Sequence, residues 1–482
     1  MMPEQSLKNK TVKGVGWSAA ETFLARGVSF IVGLVLARLL SPDEYGLIGI
    51  VMIFVTVLEG FVDSGFSSSL IRKIDADDND YNTMFLTNLV ISIVMFALLY
   101  LGAPYIAVFF ERQELVALIR VMGLLVVFQA LSIVQNTILT RKIDFKTRTK
   151  AAVLAAVVSG IIGIVMAFVG FGVWSLVGQQ LSRQLLNTIC LWFYNRWWPK
   201  FRFSTESFRY MWGFGWKIMA SGLLDRLWRQ LNQAVIGKFY SPDTLGQYTR
   251  SNEYATIFSS NITSVVQRVS YPVLSQVQDD KQRMVAAYRK VIKTTMFVTS
   301  IIMISMAAVS EPLIYCLIGP KWHQAALFLP FICFPMSVWP LHALNLNMLQ
   351  VQGRSDVYLI VEILKKIIAI GPICLGIFVG IYWMLIGGIV TDIIAFFLNS
   401  YYSGKNLGYS SWMQIKDVAP SYALAFIVSI SVYFFKFLPI SNFIILPIQI
   451  IVGATVLFLI CEKRRPEEYI ELKNIVIKAL SK

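Results

Sequence analysis

Four arginines stand in stretches that otherwise read as membrane-crossing: Arg26, Arg226, Arg229 and Arg250. A guanidinium is planar, permanently charged and forked. In a low-dielectric cavity it holds a phosphate by charge-assisted hydrogen bonds. Carboxylates lie close by in sequence, Glu21, Asp63, Asp225 and Glu253, and they suit either a coupling cation or the wall of the same cavity. Charge inside a span is costly, so such residues face water or a partner. Two explanations are open. The arginines line an anion-binding cavity, or pairs such as Asp225 and Arg229, four residues apart, satisfy one another.

Helical spacing groups these residues into stripes. Ser18, Thr22, Arg26 and Ser29 form one, with Glu21 beside it. Thr56, Glu59, Asp63 and Ser67 form a second, and Ser221, Asp225, Arg229 and Asn232 a third, with Arg226 adjacent. A further segment carries Arg250, Asn252, Glu253, Ser260 and Asn261. Each stripe lies on one face of a helix. The expectation is that the four faces converge on one central cavity.

The elements that must position them are apolar helices. Of 482 residues, 56% are hydrophobic and 15% charged, against roughly 25% charged in ordinary globular domains. A soluble protein of this composition has no way to bury its apolar surface. The pattern predicts an all-α polytopic membrane protein with about fourteen spans, since each crossing takes roughly 20 apolar residues. Their centres fall near residues 27, 56, 96, 127, 161, 184, 226, 258, 302, 337, 369, 392, 428 and 450. Lys8, Lys10 and Lys13 before an apolar run imitate a secretory signal. Residues 14–40 make a full span containing Glu21 and Arg26, without a small-residue cleavage site, so a retained first helix is expected.

The chain also repeats itself. Gly14-Val15-Gly16-Trp17 returns as Gly213-Phe214-Gly215-Trp216, and Ser41-Pro42-Asp43 with Gly46 returns as Ser241-Pro242-Asp243 with Gly246. Trp174 with Gly178 returns as Trp383 with Gly387. Six spans per copy is an even number, so both copies start on the same side and form a parallel repeat. The expected domains are an N-terminal six-helix bundle at 1–196, an interfacial linker at 197–210 and a second six-helix bundle at 211–406. Two additional spans at 407–461 and an amphipathic tail at 462–482 complete the chain.

Net charge is +15. The basic residues gather in alternate loops: Arg141 to Lys150, Arg196 to Arg209, Lys281 to Lys293 and the tail after Glu462. That is the positive-inside distribution, and it places both termini in the cytoplasm. It explains the charge without nucleic acid. Five scattered cysteines, Cys190, Cys316, Cys333, Cys374 and Cys461, suggest neither a metal site nor a disulfide framework, and no cofactor is expected.

Several motifs read as structural. Ser41 can cap a helix, Pro42 suits its first position and Glu44 completes a capping box, with Thr244 at that place in the second copy. Trp17 and Trp216 suit interfacial anchors. Arg38 and Lys238 lie at span ends and suit snorkelling. The tail places Tyr469, Leu472, Ile475, Val476, Ala479 and Leu480 at helical spacing, which predicts an interfacial helix.

One block is more specific. Ala37-Arg38-Leu39-Leu40-Ser41-Pro42-Asp43-Glu44-Tyr45-Gly46, then Phe61-Val62-Asp63-Ser64-Gly65-Phe66 and Leu70-Ile71-Arg72-Lys73, resembles the polysaccharide-transporter branch of the MOP (multidrug/oligosaccharidyl-lipid/polysaccharide) superfamily. Tyr271-Pro272-Val273-Leu274-Ser275 and Gly319-Pro320-Lys321-Trp322 fit the same branch, which is similar to Wzx-type flippases of the colanic-acid exporter kind. The resemblance implies two six-helix bundles in a V shape plus two extra helices. It implies transfer of an undecaprenyl-diphosphate-linked oligosaccharide across the inner membrane for surface polysaccharide synthesis, alongside polymerase or assembly proteins. In the related lipid II flippases, arginines of the first and eighth helices hold the diphosphate, and Arg26 and Arg250 occupy comparable spans. Glu21 and Asp225 make this set less purely cationic. A MATE-like cation antiporter is the alternative, with Asp63 and Asp225 as ion ligands. A membrane glycan polymerase or ligase has less support, because the chain has only two histidines, His323 and His342, and no long catalytic loop.

Overall fold

The computed structural model describes residues 24–277 and 279–480. Gly14 to Trp17, the polar stripe residues Ser18 and Thr22, and Glu21 lie outside the described residues. Among the described residues the chain is helical, and no strand occurs. Residues 24–39 form α1. Then come α2 (Pro42–Asp63), α3 (Phe66–Arg72), α4 (Asp78–Phe109), α5 (Leu115–Met122), α6 (Leu124–Arg141), α7 (Phe145–Phe168), α8 (Val173–Asn195) and α9 (Thr205–Phe239). The chain continues with α10 (Pro242–Gln276), α11 (Lys281–Ala308), α12 (Ser310–Ile318), α13 (His323–Val351), α14 (Ser355–Ile368) and α15 (Ile370–Phe378). It ends with α16 (Ile381–Gly404), α17 (Ser411–Tyr433), α18 (Asn442–Arg464) and α19 (Glu467–Leu480). Thirteen of the fourteen expected centres fall inside these helices, and the one near 369 falls on the joint between α14 and α15. Nine helical stretches among the described residues are long and apolar enough to cross a membrane.

Contacts divide the chain after Gly246 into two compact units. In the first, α7 and α8 form a hairpin and α2 packs among α4, α6 and α9. This unit runs past the expected linker because α9 lies on α2 and α3. The helix starts are locally encoded. Ser41 caps α2, the Glu44 carboxylate accepts from the Ser41 N–H at 2.6 Å, and Ser241 accepts from the Thr244 N–H at 3.2 Å. A cap of this kind contributes about 1 kcal/mol. The break between α2 and α3 uses two left-handed residues, Ser64 at φ 50° and Gly65 at φ 69°. A β-carbon on Gly65 would also lie 2.3 Å from the carbonyl of Gly215, so α9 approaches only because no side chain is there.

The two ends of this unit differ in charge. At one end Arg112 pairs with Asp43 at 2.7 Å, and Lys238 reaches Glu111 at 2.9 Å and the Phe109 carbonyl at 2.6 Å. That hydrogen bond from Lys238 holds the Glu111 carboxyl below the usual carboxylate range. At the other end Arg141 donates to the carbonyls of Leu70 and Ile74, Lys73 pairs with buried Asp80 at 2.8 Å, and Lys200 pairs with Asp78.

In the second unit α13 is the central strut, flanked by α11 and α16. It carries Pro330, Pro335 and Pro340. A proline removes the N–H that would bond the carbonyl four residues back. Pro340 thereby frees the Met336 carbonyl, and Ser259 Oγ of α10 donates to it at 2.6 Å. One turn beyond Leu341, buried Asn345 Oδ1 accepts from Tyr288, Ser403 and Gln414, tying α11, α16 and α17 to α13. The tail helix α19 sets Tyr469 and Leu472 against a cluster containing Phe297 and Leu424. Its Glu471 pairs with Lys290, and the Glu462 carboxylate holds the Lys473 ammonium above its ordinary range.

Candidate functional site

The α2 stripe opens onto a cavity of about 480 Å³ inside the first unit. Glu59, Asp63 and Ser67 form one wall, with Gln129, Ser132, Asn136 and Thr137 of α6 opposite. Gln184 and Asn187 come from α8 and Arg226 from α9. Apart from Ile71 and Ile133, the lining is amide, hydroxyl, carboxylate and guanidinium.

Arg226 enters because α2 has a glycine where it passes. A β-carbon on Gly60 would lie 3.1 Å from Arg226 Cδ and 2.9 Å from Leu223. The guanidinium donates to the Thr56 carbonyl at 3.1 Å. Glu59 lies within electrostatic reach of it. With its amide nitrogen turned toward Glu59, Gln129 donates to both carboxylate oxygens, at 2.8 and 3.3 Å. Ser67 Oγ donates to Asp63 Oδ1 at 2.6 Å, and Thr137 donates to Ser67 at 3.2 Å. Each carboxylate thus has a neutral donor beside it, and Asn136, Asn187 and Thr140 complete the lining. Amides and hydroxyls offer both donors and acceptors, the set that sugar hydroxyls require.

Sequence stripes are only partly brought together. Asp63 and Arg226 share this cavity. Arg229 pairs with Asp225 at 2.8 Å, both side chains exposed. Arg250 pairs with Glu253 at 2.8 Å, in the second unit. Arg26 is exposed on α1. The four arginines are therefore divided between the units, with Arg26, Arg226 and Arg229 in the first.

The family described as "Polysaccharide biosynthesis protein" matches residues 35–327, more than half of the chain. The chain belongs to this polysaccharide biosynthesis family. Among relatives, the succinoglycan biosynthesis transport protein ExoT of Rhizobium meliloti is 26% identical over 325 residues, 67% of this chain and 66% of that protein, slightly under two thirds of its length. The lipopolysaccharide biosynthesis protein WzxC of Escherichia coli is 21% identical over 444 residues, 90% of this chain and 87% of that one. Among solved structures, the lipid II flippase MurJ in an inward closed conformation superposes with a TM-score of 0.73 at 15% identity, covering 92% of this chain and 97% of that one. The fold is that of the MOP superfamily, as the resemblance implied.

Two features of this family member escaped sequence reasoning. Gln129, Asn136, Gln184 and Asn187 are neutral and scattered, and only the packing of α6 and α8 on α2 assembles them. Arg183 did leave a signal, as the one charged residue of α8. It is half-buried and has no ion partner among the described residues.

Proposed function

We propose that this protein is a flippase that moves an undecaprenyl-diphosphate-linked oligosaccharide from the cytoplasmic to the outer leaflet of the bacterial inner membrane. The glycan would feed lipopolysaccharide, capsule or exopolysaccharide. The observation that carries the reading is the polar cavity holding Arg226, Glu59 and Asp63 within a bundle of membrane-spanning helices. A sugar–diphosphate head has no other route through hydrocarbon, since its charges and hydroxyls need partners throughout. In this reading, Arg26, Arg226, Arg229 and Arg250 serve the diphosphate by turns as two six-helix repeats (1–196 and 211–406) alternate access. Glu21, Asp63, Asp225 and Glu253 are cavity or coupling groups. The basic end of the first unit faces the cytoplasm with both termini. No covalent chemistry is required, so the protein acts as a transporter and not as an enzyme, and its partners are the lipid-linked substrate and polysaccharide polymerase or assembly proteins.

Family membership and the names of the relatives support this assignment. A second reading, a MATE-like cation antiporter, draws on the two carboxylates that outnumber the one arginine in the cavity. Deletion of the gene separates them. The flippase reading expects full-length lipid-linked glycan to accumulate on the cytoplasmic leaflet, with drug susceptibility unchanged. Normal surface glycan together with drug hypersensitivity would favour the antiporter.

A further inference from the structure

Away from that cavity, four ionisable side chains meet within the second unit. His342 lies on α13, Asp392 is midway along α16, and Glu362 and Lys365 lie on α14. Lys365 donates to Glu362, so these two charges neutralise each other. His342 is 6% exposed, and its Nδ1 lies 2.9 Å from Asn399 Nδ2. With that amide donating, Nδ1 accepts, and a neutral ring carries its proton on Nε2. Nε2 faces Asp392 Oδ1 across 3.9 Å, too far for a hydrogen bond. Among the described residues Nε2 and Asn399 Oδ1 are buried without any hydrogen-bond partner.

We propose that this group is a proton-binding site, with Asp392 the side chain that gains and loses the proton and the Nε2–H of His342 the donor that answers its charge. Deprotonated, Asp392 is a carboxylate inside an apolar helix, and its relief lies in closing the gap onto His342 Nε2–H. Protonated, it is neutral and the gap stands open. Charge on one atom therefore sets the spacing of α13 and α16. The other elements packed on α13 add no charge to this balance. α11 presents the phenol of Tyr288, bonded to Asn345, and α17 that of Tyr422, bonded to Ser337. α10 meets α13 through Ser259, Thr256 and Gln267. At its far end α12 gives Tyr315 to His323.

The inference goes beyond the flippase reading, and its test needs no transport. Infrared difference spectra of the full chain in lipid nanodiscs are recorded while pH is raised. A protonated-carboxyl stretch should be present at low pH and disappear as pH rises. Asp392→Asn should remove one component of it, Glu362→Gln should retain that component, and His342→Gln should move its midpoint. Asp392→Glu, which keeps an acid, should shift the band and serves where Asp392→Asn does not fold. A carboxyl band unchanged between wild type and Asp392→Asn, or a midpoint of the Asp392 component identical in wild type and His342→Gln, overturns the proposal. Failure of the flippase reading would leave the band untouched, so the two failures are distinguishable.

Discussion

A β-carbon on Gly46 would lie 1.7 Å from the carbonyl oxygen of Pro242, and one on Gly246 would lie 1.9 Å from that of Pro42. The repeated Ser-Pro-Asp helix starts thus touch backbone to backbone, each glycine against the other copy's proline. A side chain at either place must push the two starts apart.

Gly46→Ala should therefore lower stability by about 1–3 kcal/mol, the usual range for overpacking. Gly102→Ala, where no atom lies within 4 Å of the added carbon, is the control. Thermal melts of the purified proteins compare them. Equal melting temperatures for the two variants would mean that the close approach is not maintained in the membrane.

The same ends should part during alternating access. Cysteines placed at Ser41 and Ser241 and joined by a short crosslinker should stop export while leaving abundance and fold intact. Undiminished export under a quantitative crosslink would remove this contact from the cycle.

Arg226 gives a sharper discrimination. As a substrate group, Arg226→Ala should cut surface glycan per transporter at least about tenfold, the loss of one charge-assisted contact worth about 1.5–3 kcal/mol. Arg226→Lys should retain part of it, since the ammonium keeps charge but not the fork. If Arg226 only neutralises Glu59, abundance falls instead, and Glu59→Gln restores it. Arg250 and Glu253 permit the same pair of measurements. Full export by well-expressed Arg26→Ala, Arg226→Ala and Arg250→Ala variants would end the anion-site idea for these positions.

Orientation is checked by thiol labelling in a Cys-less background. Positions Lys146 and Lys281 should be shielded from an impermeant reagent in intact cells, and Asp43 and Asp243 should react. The inverse pattern would reverse the assignment of the basic end to the cytoplasm.

Ser259 and Pro340 form a double-mutant cycle. Ser259→Ala strands the Met336 carbonyl, at a cost of about 1–3 kcal/mol. Pro340→Ala returns the helix's own N–H, so adding it should recover most of the loss. Additive destabilisation would show that the serine is not substituting for the missing donor.

What the sequence made legible was local. The capping box at Ser41 and the four-residue spacing of Asp225 and Arg229 are each written within a few residues, and each is found in the structure. Arg226 and Gly60 lie 166 residues apart, and no period announces their contact. His342 and Asp392 were hidden for a related reason: one charged or polar residue in an apolar helix does not say which neighbour it will meet. Arg183 was visible by the same logic that picked out Arg26, as an arginine with Gln179 and Asn187 four residues to either side.

The serine that completes α13 at Met336 has a mechanical side. In an uninterrupted helix, bending breaks the ladder that holds the helix together. Here that rung is already supplied by a neighbouring element, through the buried Ser259 hydroxyl. The strut therefore has a built-in joint at residues 336–340, and its stiffness is set by α10. A movement of α10 should therefore reach α13 as a change of angle at this joint.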